Sequence, residues 1–217
     1  MAKNTIMLSN EHDSIIKAAD IIKSGGIIAF PTETVFGLFA DPDNQKSVED
    51  IYNIKYRESN KPLSIMVNEI EKALNIWKLK SRKRERVSNF LKCFWPGALT
   101  LVCKKEKSIF NNVTAGRDTI GIRYPDYKPL NELLIAFNAP LASTSANISG
   151  EPDLNDAEEV FRRFKGLIDA VFPGKSVHGR SSTVIELDNN VLNILRKGFI
   201  KPELILKKWI ETSKDII

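Results

Sequence analysis

Residues 30–38, FPTETVFGL, and residues 54–67, IKYRESNKPLSIMV, decide how this chain reads. The first stretch follows the apolar run Gly26–Phe30 and turns sharply through Pro31-Thr32-Glu33-Thr34. The second comes one helix later and carries two cations, Lys55 and Arg57, with Lys61 close behind, before another apolar run, Leu63–Val67. Two short buried strands joined by a helix bring loop hydroxyls toward fixed positive charges. Such an arrangement suits a small anionic or nucleotide ligand.

The surrounding elements follow from periodicity. Ile15, Ile16, Ala19 and Ile22 have helical spacing after a cap at Asp13 or Ser14, and Ser24-Gly25-Gly26 stops that helix. Asn44 caps the helix leading to Lys55, whose apolar face is Val48, Ile51 and Tyr52. Val87, Phe90, Leu91 and Phe94 mark a further helix that Pro96-Gly97 ends. Strands are expected at Thr100–Lys104, Thr119–Arg123 and Pro140–Ser143, and helices over Leu130–Phe137 and around Ala157–Phe164. Ser182–Leu187 and Val191–Leu195 pair as a hairpin across Asp188-Asn189-Asn190. Pro202 opens a terminal helix carrying Leu204, Ile205 and Trp209. Interleaved helices and strands with a hairpin predict an α/β fold: an open, twisted sheet of mixed parallel and antiparallel strands, flanked by helices.

The 217 residues suffice for one domain with a real core, and residues 1–217 read as a single domain. No apolar run approaches the roughly 18 residues of a membrane span, and the start MAKNTIMLSNEHD is too polar for a signal peptide. A cytoplasmic protein with no membrane contact is expected. Cys93 and Cys103 have no metal-ligand spacing and read as free thiols; His12 and His178 are isolated, so no zinc site is expected. The net charge of +5 fits phosphate-bearing ligands or nucleic acid. The densest basic run, Lys78–Arg86, is either the solvated face of a helix or a patch for RNA or a protein partner.

Four more segments carry chemistry. Phe94–Thr100, FWPGALT, reads as a helix stop leading into a strand. Arg123 ends an apolar strand just before the Tyr124-Pro125 step; its guanidinium either forms a salt bridge or grips a carboxylate in two-point fashion. Residues 141–150, LASTSANISG, place Ser143, Ser145 and Asn147 just beyond a short strand, as a capped turn or as a loop that holds phosphate oxygens. Ser181-Ser182-Thr183 opens a strand whose hairpin partner ends at Arg196. Gly174-Lys175-Ser176 is not a P-loop, because the Gly required five positions earlier is Asp169. No nucleophile elbow or catalytic triad is marked, although His178 lies near Ser181. Cations plus hydroxyls favour electrostatic stabilisation of a transferring phosphate over covalent catalysis.

From Ser24 to Ile200 the chain resembles the YrdC-like family of threonylcarbamoyl-AMP synthases. Lys55-x-Arg57 is similar to the family's K-x-R signature and Ser145-Ala146-Asn147 to its S-x-N signature; PTETVFGL, FWPGALTLV, GIRYP, STSANISG and SSTVIEL follow in the family's order. The resemblance implies a mixed α/β fold around a deep basic cavity. It implies L-threonylcarbamoyladenylate and pyrophosphate made from L-threonine, bicarbonate or CO2, and ATP. The product would feed N6-threonylcarbamoyladenosine formation in tRNA through a transferase machinery. By similarity, Lys55 and Arg57 are catalytic through charge, with Mg²⁺ carried by ATP and no metal ligands from the protein. Thr34, Arg123, Ser143 and Ser182 would hold threonine. Arg57, Lys61, Thr119, Ser145 and Arg196 would hold the nucleotide, with Asn147 supporting that loop. The chain departs from longer members at Lys61, where they carry Asn, and Met66, where they carry His; it resembles the short, single-domain form. Two other readings of the same residues are a double-stranded RNA or tRNA-binding module, with Lys78–Arg86 as footprint and direct tRNA contact, and a carbamoyl-transfer domain of the hydrogenase-maturation type. The latter sits in longer chains with zinc-finger-like cysteines.

Overall fold

The computed structural model describes residues 3–106 and 109–212. In chain order the elements are β1 (Ile6–Met7), α1 (His12–Lys23), β2 (Ile28–Phe30), β3 (Gly37–Ala40), α2 (Gln45–Ile54), β4 (Ser64–Met66), α3 (Ile70–Ile76), α4 (Ser81–Leu91) and β5 (Leu99–Lys104). They continue with β6 (Thr119–Arg123), α5 (Lys128–Phe137), β7 (Leu141–Ser145), α6 (Ala157–Phe164), β8 (Ala170–Val171), β9 (Thr183–Asp188), β10 (Val191–Arg196) and α7 (Pro202–Glu211). The strands form one sheet in the order β1-β8-β2-β3-β7-β4-β6-β5-β9-β10. Parallel pairs (β1 with β8, β2 with β8, β4 with β6, β5 with β9) are mixed with antiparallel ones (β2 with β3, β3 with β7, β4 with β7, β5 with β6, β9 with β10), the mixed sheet that the sequence predicts.

Period-two alternation divides the core between the two faces of the sheet. Ile28, Phe30, Phe39 and Met66 join α1 and α5 on one face, through Ile15, Ala18, Ala19, Ile22, Leu130, Leu133, Leu134 and Phe137. Ala29, Leu38, Ala40, Ile65 and Val67 face the other way, onto Val48 and Ile51 of α2, Val87, Phe90 and Leu91 of α4, Val160 and Phe164 of α6, and Ile205 and Trp209 of α7. Both helical layers are therefore needed to cover a sheet in which β2 and β3 are buried at every residue.

Local chemistry sets the boundaries. Asn44 caps α2 as expected, its side chain accepting from the Ser47 N–H at 3.1 Å. The β9–β10 connection is a two-residue turn with Asn189 and Asn190 at φ 43° and 69°, a conformation Asn tolerates and tight hairpins require. Other boundaries differ from expectation. β7 runs to Ser145, so Ser143 and Ser145 lie on the strand and only Asn147 beyond it. Glu11 is the N-cap of α1 and makes no side-chain cap; Asp13 and Ser14 lie inside the helix, and the Ser14 hydroxyl accepts from the Ser9 N–H at 3.2 Å. The helix α4 ends at Leu91, capped by Lys92, so turns intervene before Pro96-Gly97, and Phe94 packs on Phe90 from outside the helix.

The basic run is partly structural. Arg84 bonds Glu71, the Leu74 carbonyl and Asn75, while the Arg86 guanidinium lies 3.6 Å from the centre of the Trp209 ring and donates to the Trp209 carbonyl. Lys78, Lys80 and Arg82 face solvent. Cys93 and Cys103 are free, the first exposed and the second buried. No helix among the described residues is long and apolar enough to cross a membrane.

Candidate functional site

The antiparallel hairpin β2–β3 builds the first wall. Its connection, Pro31–Phe36, is buried, so its polar groups must be satisfied internally. Thr32 does this: its Oγ1 accepts from the N–H groups of Thr34 (3.0 Å) and Val35 (3.2 Å) and donates to the Val35 carbonyl (2.8 Å). The turn is thereby rigid and presents the Thr34 hydroxyl, which accepts from Arg123 Nη1 at 2.8 Å.

Arg123, at the end of β6, is only 4% exposed. Its Nε donates to the Gly97 carbonyl at 3.1 Å, and its Nη2 lies 2.5 Å from the Glu33 carboxylate, both side chains being 5% exposed. The contact to Glu33 is a charge pair without hydrogen-bond alignment, since neither Glu33 oxygen has a hydrogen-bond partner. Arg123 thus forms the salt bridge foreseen as one alternative, and it also lines the cavity described below. An arginine has five N–H donors, so the three contacts leave others for a ligand. The FWPGALT segment does more than stop a helix: its Gly97 carbonyl helps aim Arg123.

The second wall comes from β7 and the loop after it. Ser143 Oγ lies 3.4 Å from the Ser64 carbonyl, and Ser145 Oγ donates to Asn147 Oδ1 at 2.6 Å. Lys55, the C-cap of α2, runs beneath this loop. Its ammonium donates to the carbonyls of Ser145 (2.5 Å) and Asn147 and to Asn147 Oδ1 (3.1 Å), and Asn147 in turn donates to the Glu151 carbonyl. Burial, then the charge of Arg57, lowers the Lys55 pKa from 10.5 to about 7, while Asp153 acts the other way. Lys55 therefore holds the loop from behind.

The third wall is the β9–β10 hairpin. Ser182 Oγ pairs with Thr100 Oγ1 at 2.9 Å, and Arg196 donates to the Ser182 carbonyl (3.0 Å) and hydroxyl (3.2 Å). A Cβ at Gly198 would collide with the Ser182 carbonyl, so only glycine lets the end of the hairpin close on its start. Arg57 bonds the carbonyls of Lys61 (3.0 Å) and Pro62 (2.8 Å). Burial lowers the pKa of both Arg57 and Arg196; for Arg196 the charges of Arg123 and Arg57 add to this, against Asp153. That Arg196 feels the charges of both Arg123 and Arg57 reflects a concentration of positive charge suited to an anion.

These walls enclose a cavity of about 130 Å³ lined by Thr34, Arg57, Arg123, Ser143, Ser145, Ser182 and Arg196, together with Thr32, Ser64, Met66, Thr100 and Ser181. Four sequence-selected residues lie outside it. Lys55 and Asn147 act through the loop; Thr119 starts β6 opposite Lys104; the Lys61 side chain is exposed and pairs with Glu58 at 2.8 Å, while its carbonyl supports Arg57. Met66 lines the cavity and packs into the core beneath α1 and α5. Sequence reasoning missed Glu33, Thr32, Thr100 and Asp153, which accepts from Ser181 at 2.5 Å. Glu33 had a signal, a lone acid between two threonines in an otherwise apolar turn. Among the described residues no group of three or more His, Cys, Asp or Glu side chains gathers to hold a metal.

The model of the Sua5, YciO and YrdC family, described as "Telomere recombination", matches residues 20–198. Proteins named threonylcarbamoyl-AMP synthase from Bacillus subtilis and Pyrococcus abyssi are each 36% identical, over 201 and 191 residues, covering 91% and 88% of this chain. The chain spans 57% and 55% of the lengths of these two relatives. The crystal structure of P. abyssi Sua5 complexed with L-threonine superposes with a TM-score of 0.86 at 34% identity, over 94% of this chain and 60% of that one.

Proposed function

The chain belongs to the Sua5/YciO/YrdC family, and from that premise we propose that it is an L-threonylcarbamoyladenylate synthase, a nucleotidyltransferase. It joins L-threonine, bicarbonate or CO2, and ATP, and releases pyrophosphate. The observation that carries this is the cavity itself: three arginines and a ring of hydroxyls around a space sized for an amino acid. At about 130 Å³ it lies below the roughly 300–1,000 Å³ of sites that enclose drug-sized ligands, so the nucleotide extends outward past Arg57 and Arg196.

Arg123 takes the threonine carboxylate, with Thr34, Ser143 and Ser182 as hydroxyl partners. The threonine amine adds to CO2, or to bicarbonate with loss of water, giving a carbamate. A carbamate oxygen attacks the α-phosphorus of ATP, and the bond to the β-phosphate oxygen breaks to release pyrophosphate. Negative charge builds on the carbamate, the α-phosphate and the leaving group. Arg57 and Arg196 stabilise it, and the Ser145–Asn147 loop, held by Lys55, lines the nucleotide's path, with Lys61 and Thr119 at its outer contacts. Mg²⁺ arrives on the nucleotide. The adenylate then passes to the transferase that modifies tRNA, in the cytoplasm. The test is pyrophosphate release from MgATP and bicarbonate, with and without L-threonine. Threonine-dependent release supports the reading; no release alongside salt-sensitive RNA binding replaces it with an RNA-binding module.

A further inference from the structure

Glu33 is a buried carboxylate whose ion pair is with Arg123, 2.5 Å away. It is 4% exposed, and among the described residues neither of its oxygens has a hydrogen-bond partner. A buried carboxylate used as a turn or helix cap would accept backbone N–H groups; in this turn Thr32 already takes those of Thr34 and Val35. Glu33 is thus dedicated to Arg123. The other two guanidiniums of the cavity are treated differently. Arg57 and Arg196 contact carbonyl and hydroxyl oxygens, and neither is in an ion pair among the described residues. Asp153 reaches Arg196 and Glu58 reaches Arg57 by charge alone; Asp153 has its hydrogen bond from Ser181 and Glu58 its ion pair with Lys61.

The cavity is therefore graded. At its buried end Arg123 has the Glu33 carboxylate in contact, whereas toward solvent Arg57 and Arg196 have no carboxylate in contact among the described residues. We infer that Glu33 is a specificity-determining residue: by cancelling the charge of Arg123 it makes the buried end accept an α-amino acid through its carboxylate and reject phosphate groups, which go to Arg57 and Arg196. This rests on the reading of the cavity as a threonine and ATP site. A site with three uncompensated arginines would bind a polyphosphate anywhere along its length, and ATP would block its own co-substrate. The guanidinium plane is held by the Gly97 carbonyl and the Thr34 hydroxyl, so loss of the Glu33 charge changes which anion binds without freeing Arg123.

The test is calorimetric titration of L-threonine into the wild type and into Glu33→Gln, each in about 10 mM inorganic phosphate and in chloride of matched ionic strength. In the wild type, threonine affinity should be the same in both buffers, and phosphate should weaken ATP instead. In Glu33→Gln, phosphate should weaken threonine by about tenfold or more, the scale of one uncompensated charge in a partly buried site. Glu33→Asp, which restores the charge, should restore indifference to phosphate. Equal threonine affinity in both buffers for Glu33→Gln overturns the inference. So does phosphate competition against threonine in the wild type, a result that stands even if the variant does not fold. A wild type that binds no threonine removes the underlying reading, and the inference with it.

Discussion

Replacing Lys55 with Met should flatten a pH dependence of stability that the wild type shows from about pH 7 to about pH 9. In the folded protein burial and the Arg57 charge bring the Lys55 pKa to about 7, against 10.5 for an unhindered lysine. Between those values the unfolded chain holds a proton that the folded chain has lost, so stability rises with pH. The cost of the buried ammonium is fully present below pH 7 and is relieved above it. One proton gives a slope of at most about 1.4 kcal/mol per pH unit, and integration over the two units gives about 2 kcal/mol. This is an upper figure, because the oxygens of Ser145 and Asn147 favour the protonated form. Urea unfolding of both proteins at the two pH values measures the difference directly. Cys103, whose thiol burial pushes up to about 12, titrates with the opposite sign near pH 9 but is common to both proteins. An equal pH slope in Lys55→Met and wild type would refute the argument that burial and the Arg57 charge bring the Lys55 ammonium into titration in this range.

Arg123→Lys keeps the charge and loses the fork that spans Gly97, Thr34 and Glu33; threonine KM should rise by about tenfold or more in steady-state assays, with a smaller effect on ATP KM. Asn44→Ala removes the cap on Ser47 N and should lower stability by about 1 kcal/mol in urea unfolding, with site chemistry intact because the loss is at the far end of α2 from Lys55.

The sheet class, most strand positions and the cations of the site were legible because they rest on local patterns. Thr119–Arg123 is an apolar strand with a terminal Arg, and the β9–β10 hairpin is announced by two adjacent asparagines. β3 was not legible: Gly37–Ala40 is buried on both faces and shows no alternation, so it merges with the turn before it. β1 and β8 are two residues each and exist by pairing with one another and with β2, a contact between positions over a hundred residues apart. The role of Lys55 was legible only as chemistry. A sequence shows a cation near a site but not that its ammonium turns inward to a loop 90 residues away. The Glu33–Arg123 pair is hidden for the same reason, since a partner in a distant strand leaves no mark on local spacing.

The most direct test of the account follows the carbon atom. The protein would be incubated with MgATP, L-threonine and ¹³C-bicarbonate, and the products read by ¹³C NMR and mass spectrometry. The account predicts a labelled threonylcarbamoyl group attached to AMP, formed only when all three substrates are present. AMP formed with no labelled threonylcarbamoyl product, or label joined to AMP without threonine, would contradict it.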